Sequence, residues 1–473
     1  MIQSKNRVFV LILISALITA CAGSPPAPTI TPAPPTAVIA PAAPPTAAPA
    51  PTPTVDQTPV TLVYWAEPRF LNVKGKEAQT AEVGDYEKLL AEEFMRLHPN
   101  VTIQVETLTF DDLAQKVPAA IAAGAAPDLL KDFLGRTSGY AWQGLLEPLE
   151  AAIPPDELAD FNPDLIAQYT INGQLHGLPL YFWVNTLFGN KSLFVESGAE
   201  NLVPLDDGEW TMEEFEAAMR AAAKEGQVWP LGLQVGTEQG DYRYLAFFWG
   251  MGAEMYANGD YSRVALNSPQ GVAALEKLVD WNDGGLIEPG APSIAWGDLR
   301  ALLFNRQVGL VGLGLSGFAS VAKAKSDGTL TEPWEPFVAM YPHAGGVDSG
   351  GLAAGPTGIV VFKQQTEAER YWAIEFARFL ASRELIAEYA VNSGQFPTRQ
   401  SVGNPLPDDA NYQRVLEWMQ TWGVEDMGLS SPHYYEVRVL LFPQLQAAFL
   451  HEKTPAQALA DYEAAANAVL AGP

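Results

Sequence analysis

Alternation of strand-like and helix-like segments is the feature that most restricts what this chain can fold into. The apolar run VTLVYW at 60–65 predicts a strand, and apolar residues at helical spacing from Val83 to Leu97 predict a helix. The stretch VTIQVETL at 101–108 then alternates as a strand does, and helical spacing returns over 111–123. This order is typical of parallel α/β layers, so we expect an α/β fold.

Several later helices have recognisable first turns. A threonine followed three residues later by Glu or Gln fits a capping box, and a serine followed by proline fits a helix start. These signals occur at Thr211 with Glu214, Thr366 with Glu369, Thr454 with Pro455 and Gln457, and Ser268 with Pro269.

Length and charge limit the classes of protein that remain. The chain has 473 residues, 48% of them hydrophobic, so two or more hydrophobic cores are expected. It has 55 acidic against 28 basic residues, a formal net charge of −27, and no basic run beyond the N-terminus. Nucleic acids select basic patches, so the composition argues against nucleic acid as a partner.

The N-terminus combines a basic start, an apolar run and the single cysteine of the chain. Lys5 and Arg7 precede an apolar run over 8–18, which has the length of a signal-peptide core rather than of a membrane span. Its end, LITAC, resembles the lipobox of bacterial lipoproteins. That resemblance implies a signal peptide at 1–20 and lipid on Cys21; an ordinary signal peptide with an accidental cysteine is the alternative. One cysteine excludes an intramolecular disulfide and cysteine-rich metal sites.

Residues 21–59 predict a tether. From residue 24 they are almost only Pro, Ala and Thr, a composition that buries little and favours polyproline II. At ~3.1 Å per residue, such a segment spans up to roughly 100 Å. We therefore expect the folded part to begin near Val60, outside the cytoplasm and anchored to the outer face of the cell membrane through Cys21.

Eight stretches of the remaining chain form an ordered set. The stretches are KVPAAIAAGAAPDLL (116–130), GLLEPLE (144–150), NGQLHGLPLYFWVNTLFGNKSLFVESG (172–198), WTMEEFEAAMRAAAK (210–224), LNSPQGVAALEKLVDWNDGGLIEP (266–289), GDLRALLFNRQVGLVGLG (297–314), EAERYWAIEFARFLASRELIAEYAVNSGQFPTR (367–399) and KTPAQALADYEAAANAVL (453–470). In this order they resemble the extracellular solute-binding proteins of ABC importers, in particular the sugar-binding type that includes maltose-binding protein. The set is spread over 116–470, most of the range 60–473.

The resemblance implies a two-lobed periplasmic-binding-protein fold of type II, with the ligand in a cleft between lobes that hinge strands join. The implied hinge crossings lie near 179–187, 350–355 and 394–401. The implied lobes are discontinuous: lobe 1 at 60–182 and 353–395, and lobe 2 at 185–350 and 400–473.

Position by position, the resemblance to maltose-binding protein implies a changed ligand site. Arg136 falls on a sugar-binding arginine and Tyr434 on an aromatic residue that stacks on sugar. Asp132 falls where that protein has a stacking tryptophan, and Trp183 replaces a hydroxyl-binding glutamate. In the turn at 312–318 the counterpart of another stacking tryptophan is Phe318, or else its neighbour Ser316. Maltose itself is therefore not inferred.

Other candidates for the site rest on location alone. Trp65 and Glu67 follow the first strand at its carboxyl end, where open α/β sheets place ligands. Packing of each residue on its own lobe is the alternative. The further candidates, in a predicted loop region and before a predicted helix, are Gln239, Asp241, Tyr242, Trp249 and Trp296.

The stretch LPLYFWVN at 178–185 has three adjacent aromatic residues. In a strand, Phe182 points to one face while Tyr181 and Trp183 share the other. A hinge strand bordering the cleft gives Trp183 a ligand to face. Packing between strand and helix is the alternative.

The expected solute is a mono- or oligosaccharide. We expect the protein to be a monomer without cofactor or metal that captures this solute and delivers it to membrane permease subunits. Aromatic plates suit the C–H faces of a sugar, and planar polar side chains suit its hydroxyls. A polyol or a polyamine is the alternative within the family.

A secreted carbohydrate-active hydrolase is the alternative from another class. The chain has no G-x-S-x-G stretch, and its five histidines are scattered without metal-ligand spacing. A glycosidase needs only two carboxylates, however, which any acidic chain supplies. A surface adhesin, the third alternative, would have a solid face in place of a cleft.

Overall fold

The computed structural model describes residues 57–68, 72–257, 260–330, 332–345 and 351–472. The predicted signal peptide, Cys21 and the predicted tether up to residue 56 lie outside the described residues. Within the described ranges, no helix is both long enough and apolar enough to cross a membrane.

The strands of the described chain alternate with helices as predicted. They are β1 (Val60–Ala66), β2 (Val101–Thr107), β3 (Leu129–Phe133), β4 (Thr170–Ile171), β5 (Gln174–Leu175), β6 (Gly177–Asn185), β7 (Leu187–Asn190), β8 (Trp229–Leu231), β9 (Val308–Gly312), β10 (Pro336–Ala339), β11 (Leu352–Val361), β12 (Phe396–Pro397) and β13 (Val424–Glu425).

The α-helices cover the faces and ends of the sheets. They are α1 (Asp85–Leu97), α2 (Phe110–Ala122), α3 (Leu134–Trp142), α4 (Pro155–Ala159), α5 (Pro163–Tyr169), α6 (Lys191–Glu196), α7 (Met212–Ala222), α8 (Asp241–Gly250), α9 (Pro269–Asp283), α10 (Trp296–Phe304), α11 (Ser316–Ser326), α12 (Glu367–Leu380), α13 (Arg383–Ser393), α14 (Ala410–Thr421), α15 (Tyr434–Val439), α16 (Leu441–Phe449) and α17 (Pro455–Leu470).

Two main sheets organise the described chain. The larger has the order β12-β6-β11-β3-β1-β2, with β13 paired to β11, and the smaller has the order β10-β7-β9-β8. The predicted parallel arrangement holds for β1, β2 and β3. It fails at β11, which runs antiparallel to both β3 and β6. Strand β11 returns to this sheet from the region of the smaller one, so it is not part of a strand–helix–strand unit.

The predicted hinge stretches lie side by side in the larger sheet. Strand β6 pairs with β11 through Trp183 and Gly355, and with β12 through Phe182 and Phe396. After β6 the chain passes through Thr186 directly into β7 of the smaller sheet. Strand β13, within the predicted second lobe, pairs with β11 of the larger sheet. The exact lobe boundaries stay a prediction.

Strand β6 has the predicted division of faces. Tyr181 is fully buried and its ring lies 6.0 Å from that of Tyr389. Phe182 and Val184 belong to a second hydrophobic cluster on the other side. Trp183, on the face of Tyr181, is only half-buried, so one side of its ring is left for another group.

The predicted helix starts are found, with one difference. Thr211 and Thr366 form complete capping boxes, and Ser268 caps α9 with Pro269 in the first turn. At Thr454 only the threonine half of the predicted box forms, since its hydroxyl accepts from the backbone but no reciprocal bond is made. These starts are local, because the accepting side-chain oxygen and the donating backbone N–H are three residues apart.

Helices α3 and α15 meet at a point that requires glycine. A Cβ atom on Gly135 would lie 2.2 Å from the ring of Tyr434. Nearby, Ser138 donates a 2.6 Å hydrogen bond to the carbonyl oxygen of Leu429. The close approach of Gly135 to Tyr434 places α15 beside the carboxyl end of β3, where the cavity described next opens.

Candidate functional site

A cavity of about 430 Å³ lies where ends of the two main sheets converge. Its wall is formed by the ends of β3, β6 and β9, by β11 and by the starts of α8, α10 and α15. Small-molecule sites typically measure about 300–1,000 Å³. The cavity is therefore of a size for a small solute.

Three aromatic rings and a guanidinium group form one part of the wall. The rings of Trp183 and Tyr242 lie 5.5 Å apart at 54°. The guanidinium carbon of Arg243 lies 4.5 Å from the Tyr242 ring centroid and 4.1 Å from that of Trp296. Stacking of this kind orients the rings and the guanidinium plane together.

Amide side chains hold these rings in position. The Asn185 side-chain amide donates to the hydroxyl of Tyr341 at 2.7 Å and to the backbone carbonyl of Tyr242 at 3.2 Å. The Gln234 amide donates to the carbonyl of Ile294, two residues before Trp296. Both contacts join segments that are distant in sequence.

A buried ion pair lies at the base of the cavity. Arg438 donates to both carboxylate oxygens of Asp241, at 2.6 and 3.0 Å, and the Tyr434 hydroxyl donates to the same group at 3.2 Å. Burial raises the pKa of Tyr434 well above its usual value, so its hydroxyl stays protonated and donates. Burial opposes the charge of Arg438, but the Asp241 carboxylate more than offsets this and raises the pKa of Arg438.

Several lining side chains carry buried polar atoms that form no hydrogen bond within the described chain. They are Thr237 Oγ1, Gln239 Nε2, Thr357 Oγ1, Gln395 Oε1 and Arg438 Nη1. A buried polar atom left unpaired costs about 1–3 kcal/mol. The set includes donors, an acceptor and hydroxyls that do both, so a ligand rich in hydroxyl groups suits it.

Four of the ten predicted ligand residues line the cavity. They are Trp183, Tyr242, Trp296 and Tyr434. Gln239 and Asp241, also noted by location, line it as well. The sequence analysis missed Asn185, Gln234, Arg243, Thr357 and Gln395. Residues of these types are common throughout the chain, so their type does not mark them as ligand-binding. Arg243 alone had a signal in the sequence, because it directly follows the candidate Tyr242.

Asp132 and Arg136 lie behind the wall. The Nε atom of Arg136 donates to Asp132 at 2.5 Å, and both side chains are buried. The guanidinium also stacks at 5.1 Å on Phe133, which does line the cavity. Since the aspartate stands four residues before the arginine at a helix start, the two groups neutralise each other's charge.

The remaining four predicted residues also lie outside the lining. Trp65 is buried beneath the ammonium group of Lys116, 4.4 Å from its ring, and Glu67 is buried beyond the end of β1. Phe318 packs edge-on against the core residue Phe188. The predicted loop around Trp249 is wrong, because the sequence DYRYLAFFWG forms α8 and its apolar side chains, Trp249 included, are buried.

Among the described residues, no group of three or more His, Cys, Asp or Glu side chains is arranged to hold a metal ion.

A sequence model of the bacterial extracellular solute-binding proteins matches residues 90–415. The chain belongs to this family. Members are binding proteins that act outside the cytoplasm, and the predicted family is confirmed. A binding protein of Brucella abortus is 24% identical to this solute-binding protein over 405 residues, covering 83% of this chain and 91% of the relative. A maltotriose-binding protein of Pyrococcus abyssi is 34% identical over 110 residues, 23% of each chain.

Solved structures share the fold of this solute-binding protein. An ABC transporter solute-binding protein from Thermotoga lettingae bound with α-D-tagatose matches with a TM-score of 0.72 and 22% identity over 87% of this chain and 99% of that one. An ABC substrate-binding protein from Listeria monocytogenes in complex with cycloalternan matches with a TM-score of 0.71 and 20% identity over the same shares. The predicted α/β periplasmic-binding-protein fold is confirmed.

Proposed function

We propose that this solute-binding protein captures a mono- or oligosaccharide in the cavity and delivers it to the membrane permease of an ABC importer. One observation carries the proposal: the same wall combines the rings of Trp183, Tyr242 and Trp296 with polar atoms that lack hydrogen-bond partners among the described residues. The rings match the C–H faces of a sugar, and its hydroxyls both donate to and accept from the unpaired atoms.

The charge of the wall argues against a polyamine. Among the described lining residues Asp241 is the one carboxylate, and Arg438 already neutralises it. A cationic ligand would meet no free negative charge there. The ligands of the similar proteins, maltotriose, α-D-tagatose and cycloalternan, support a saccharide as well.

The same count of carboxylates favours a binding protein over a glycosidase. Retaining and inverting glycosidases usually act through two carboxyl groups on either side of the scissile bond. A cavity with one carboxylate, already held by an arginine and a tyrosine, lacks the second group. We propose that the solute leaves the cavity chemically unchanged.

We propose that Trp183, Tyr242 and Trp296 stack on the sugar and that Tyr434 closes the base of the site. The first three side chains occupy one wall, while the ring of Tyr434 packs against α3 and its hydroxyl is held by Asp241. We further propose that the protein is a monomer and that lipid on Cys21, followed by the tether, holds it at the outer face of the membrane.

A thermal-shift screen over sugars, polyols and polyamines tests the proposal. A saccharide present at about 100 times its dissociation constant should stabilise the protein by about 2.7 kcal/mol. Chromatography of the recovered sugar then separates binding from hydrolysis. Stabilisation by polyamines alone, or new products in the recovered sugar, would contradict the proposal.

A further inference from the structure

The cavity wall contains a guanidinium group that no described carboxylate neutralises. Arg243 is 4% exposed and forms no ion pair with any described residue. Its Nε donates to the carbonyl of Gly312 at 2.9 Å, and its Nη1 donates to the carbonyl of Gln239 at 2.7 Å and to the side-chain oxygen of Gln234 at 3.2 Å. All three acceptors are neutral, and its Nη2 has no acceptor within the described chain.

The charges of the lining therefore do not cancel. The ionisable lining residues with a charge at neutral pH are Asp241, Arg243 and Arg438. Asp241 and Arg438 neutralise each other through two hydrogen bonds. Arg243 leaves one excess positive charge in the wall of a chain whose formal net charge is −27.

A guanidinium group cannot lose its charge on burial as a lysine or histidine can. A buried charge is unfavourable unless an opposite charge or strong hydrogen bonds accompany it. The rings of Tyr242 and Trp296 flank Arg243 and fix its plane, but they bring no negative charge. A ligand that carries a negative charge would supply the counter-charge that these neutral oxygens and rings do not.

We infer that the solute is an acidic saccharide, a sugar with a single carboxylate such as a uronate unit, and that this carboxylate pairs with Arg243. The inference rests on the proposed saccharide function and names the class of sugar. The Nη2 group of Arg243, which has no acceptor within the described chain, can donate a charge-assisted hydrogen bond to a carboxylate oxygen. Its single negative charge balances the excess positive charge, whereas a phosphate ester at about −1.5 to −2 exceeds it. The sugar ring then lies within reach of the aromatic side chains beside Arg243.

Calorimetric titration with matched pairs of sugars tests this inference. The pairs are D-galacturonate with D-galactose, D-glucuronate with D-glucose, and D-mannuronate with D-mannose, each at pH 7. In at least one pair the acid should bind roughly 10- to 100-fold more tightly, the range of a charge-assisted hydrogen bond. D-Galactose 6-phosphate is the comparison anion, and tighter binding of it than of any uronate would overturn the carboxylate assignment.

Variants at two arginines test whether the preference for the acidic sugar depends on the cavity wall. Arg243→Gln should weaken binding of the acid at least about tenfold more than it weakens binding of the matched neutral sugar, and so remove the preference for the acid. Arg243→Lys keeps the charge and should keep part of the preference. The matched control is Arg414→Gln, because Arg414 also donates to neutral carbonyls, at 2.9 and 3.0 Å, but does not line the cavity.

The outcomes separate this inference from the proposed function. Equal affinity within every pair would overturn the acidic saccharide while the saccharide function stands. An equal loss of both partners of a pair in Arg243→Gln would also overturn it, and would make Arg243 a positioning residue for Trp296. No binding of any sugar, acidic or neutral, would reject both. The parent protein alone decides the first comparison, so an unstable variant does not prevent the test.

Discussion

Arg136 and Arg243 are equally buried, at 4% exposure each, but their surroundings differ. Arg136 has Asp132 one helical turn away and lies behind the cavity wall. Within the described ranges, Arg243 donates to neutral oxygens alone and stacks on two aromatic rings, and it lines the cavity. The comparison teaches that the partner of a buried charge, rather than its burial, distinguishes a structural arginine from a candidate ligand-binding one.

The largest expected effect follows from breaking the complete pair. Asp132→Asn leaves the Arg136 charge buried without its partner, which should lower the free energy of unfolding by about 3–5 kcal/mol. Denaturant unfolding of the unliganded protein measures this. Ligand affinity of the folded fraction should change little, since neither residue lines the cavity.

The control for that prediction removes both charges. Asp132→Asn combined with Arg136→Gln should recover part of the lost stability, because no uncompensated charge remains. If the Asp132→Asn protein is as stable as the parent, the pair does not stabilise the fold. Arg136 would then not be the structural arginine of this comparison.

Trp183 tests whether the wall around Arg243 acts on ligand binding. Trp183→Ala should weaken saccharide binding by at least about tenfold, or 1.4 kcal/mol, and leave the unliganded melting temperature near that of the parent. Titration and thermal unfolding measure the two quantities separately. Tyr181→Ala is the matched control on the same face of β6, where loss of a buried side chain should cost ~3–5 kcal/mol of stability.

The opposite pattern would change the assignment of Trp183. A Trp183→Ala protein that melts far below the parent but binds saccharide normally belongs to the core. Tyr242 and Trp296 would then remain as the aromatic residues of the wall.

Glu288 is an acidic counterpart to Arg243, a buried group that forms no ion pair within the part of the chain that the structure describes. Burial raises its pKa to about 7, although one oxygen accepts a 2.7 Å hydrogen bond from the backbone of Gly290. The folded protein therefore binds the proton more tightly than the unfolded chain does. The stability from protonated Glu288 is fully present below the unfolded pKa and is lost as the pH rises through about 7.

Glu288→Gln should accordingly be more stable than the parent at pH 8, by on the order of 1 kcal/mol after a discount for solvent screening. The advantage should shrink toward pH 5. Melting temperatures of both proteins across this range measure it. A parent and variant whose stabilities run parallel from pH 5 to pH 8 would mean that Glu288 ionises normally.

The smallest expected effect comes from an exposed pair. The Nη1 atom of Arg263 lies 3.8 Å from the Oε1 atom of Glu463, and 62% of the Arg263 side chain is exposed. Arg263→Gln should change the free energy of unfolding by no more than about 0.5 kcal/mol, because water replaces the lost partner. If denaturant unfolding shows a larger loss of stability, an exposed ion pair contributes as a buried one does. Burial would then not explain the importance of the charges of Arg136 and Arg243.

Periodicity and short spacing explain why much of the fold was predictable. The apolar run at 60–65 and the alternation at 101–108 predicted β1 and β2, and the threonines at 211 and 366 marked the starts of α7 and α12. The candidate site was less predictable. Trp249 was expected in a loop but is buried in α8, since aromatic residues serve cores as well as sites.

The sequence by itself determined the α/β class, the helix starts and the faces of β6, because each depends on residues within a few positions of one another. It also contained the Asp132 and Arg136 pair, four residues apart. Only the tertiary structure decided that Arg243 stacks on two rings and meets Gly312, 69 positions away along the chain, with no described carboxylate paired to it. The physical reason is that a cavity and its charge balance depend on which distant segments the folded sheets bring together.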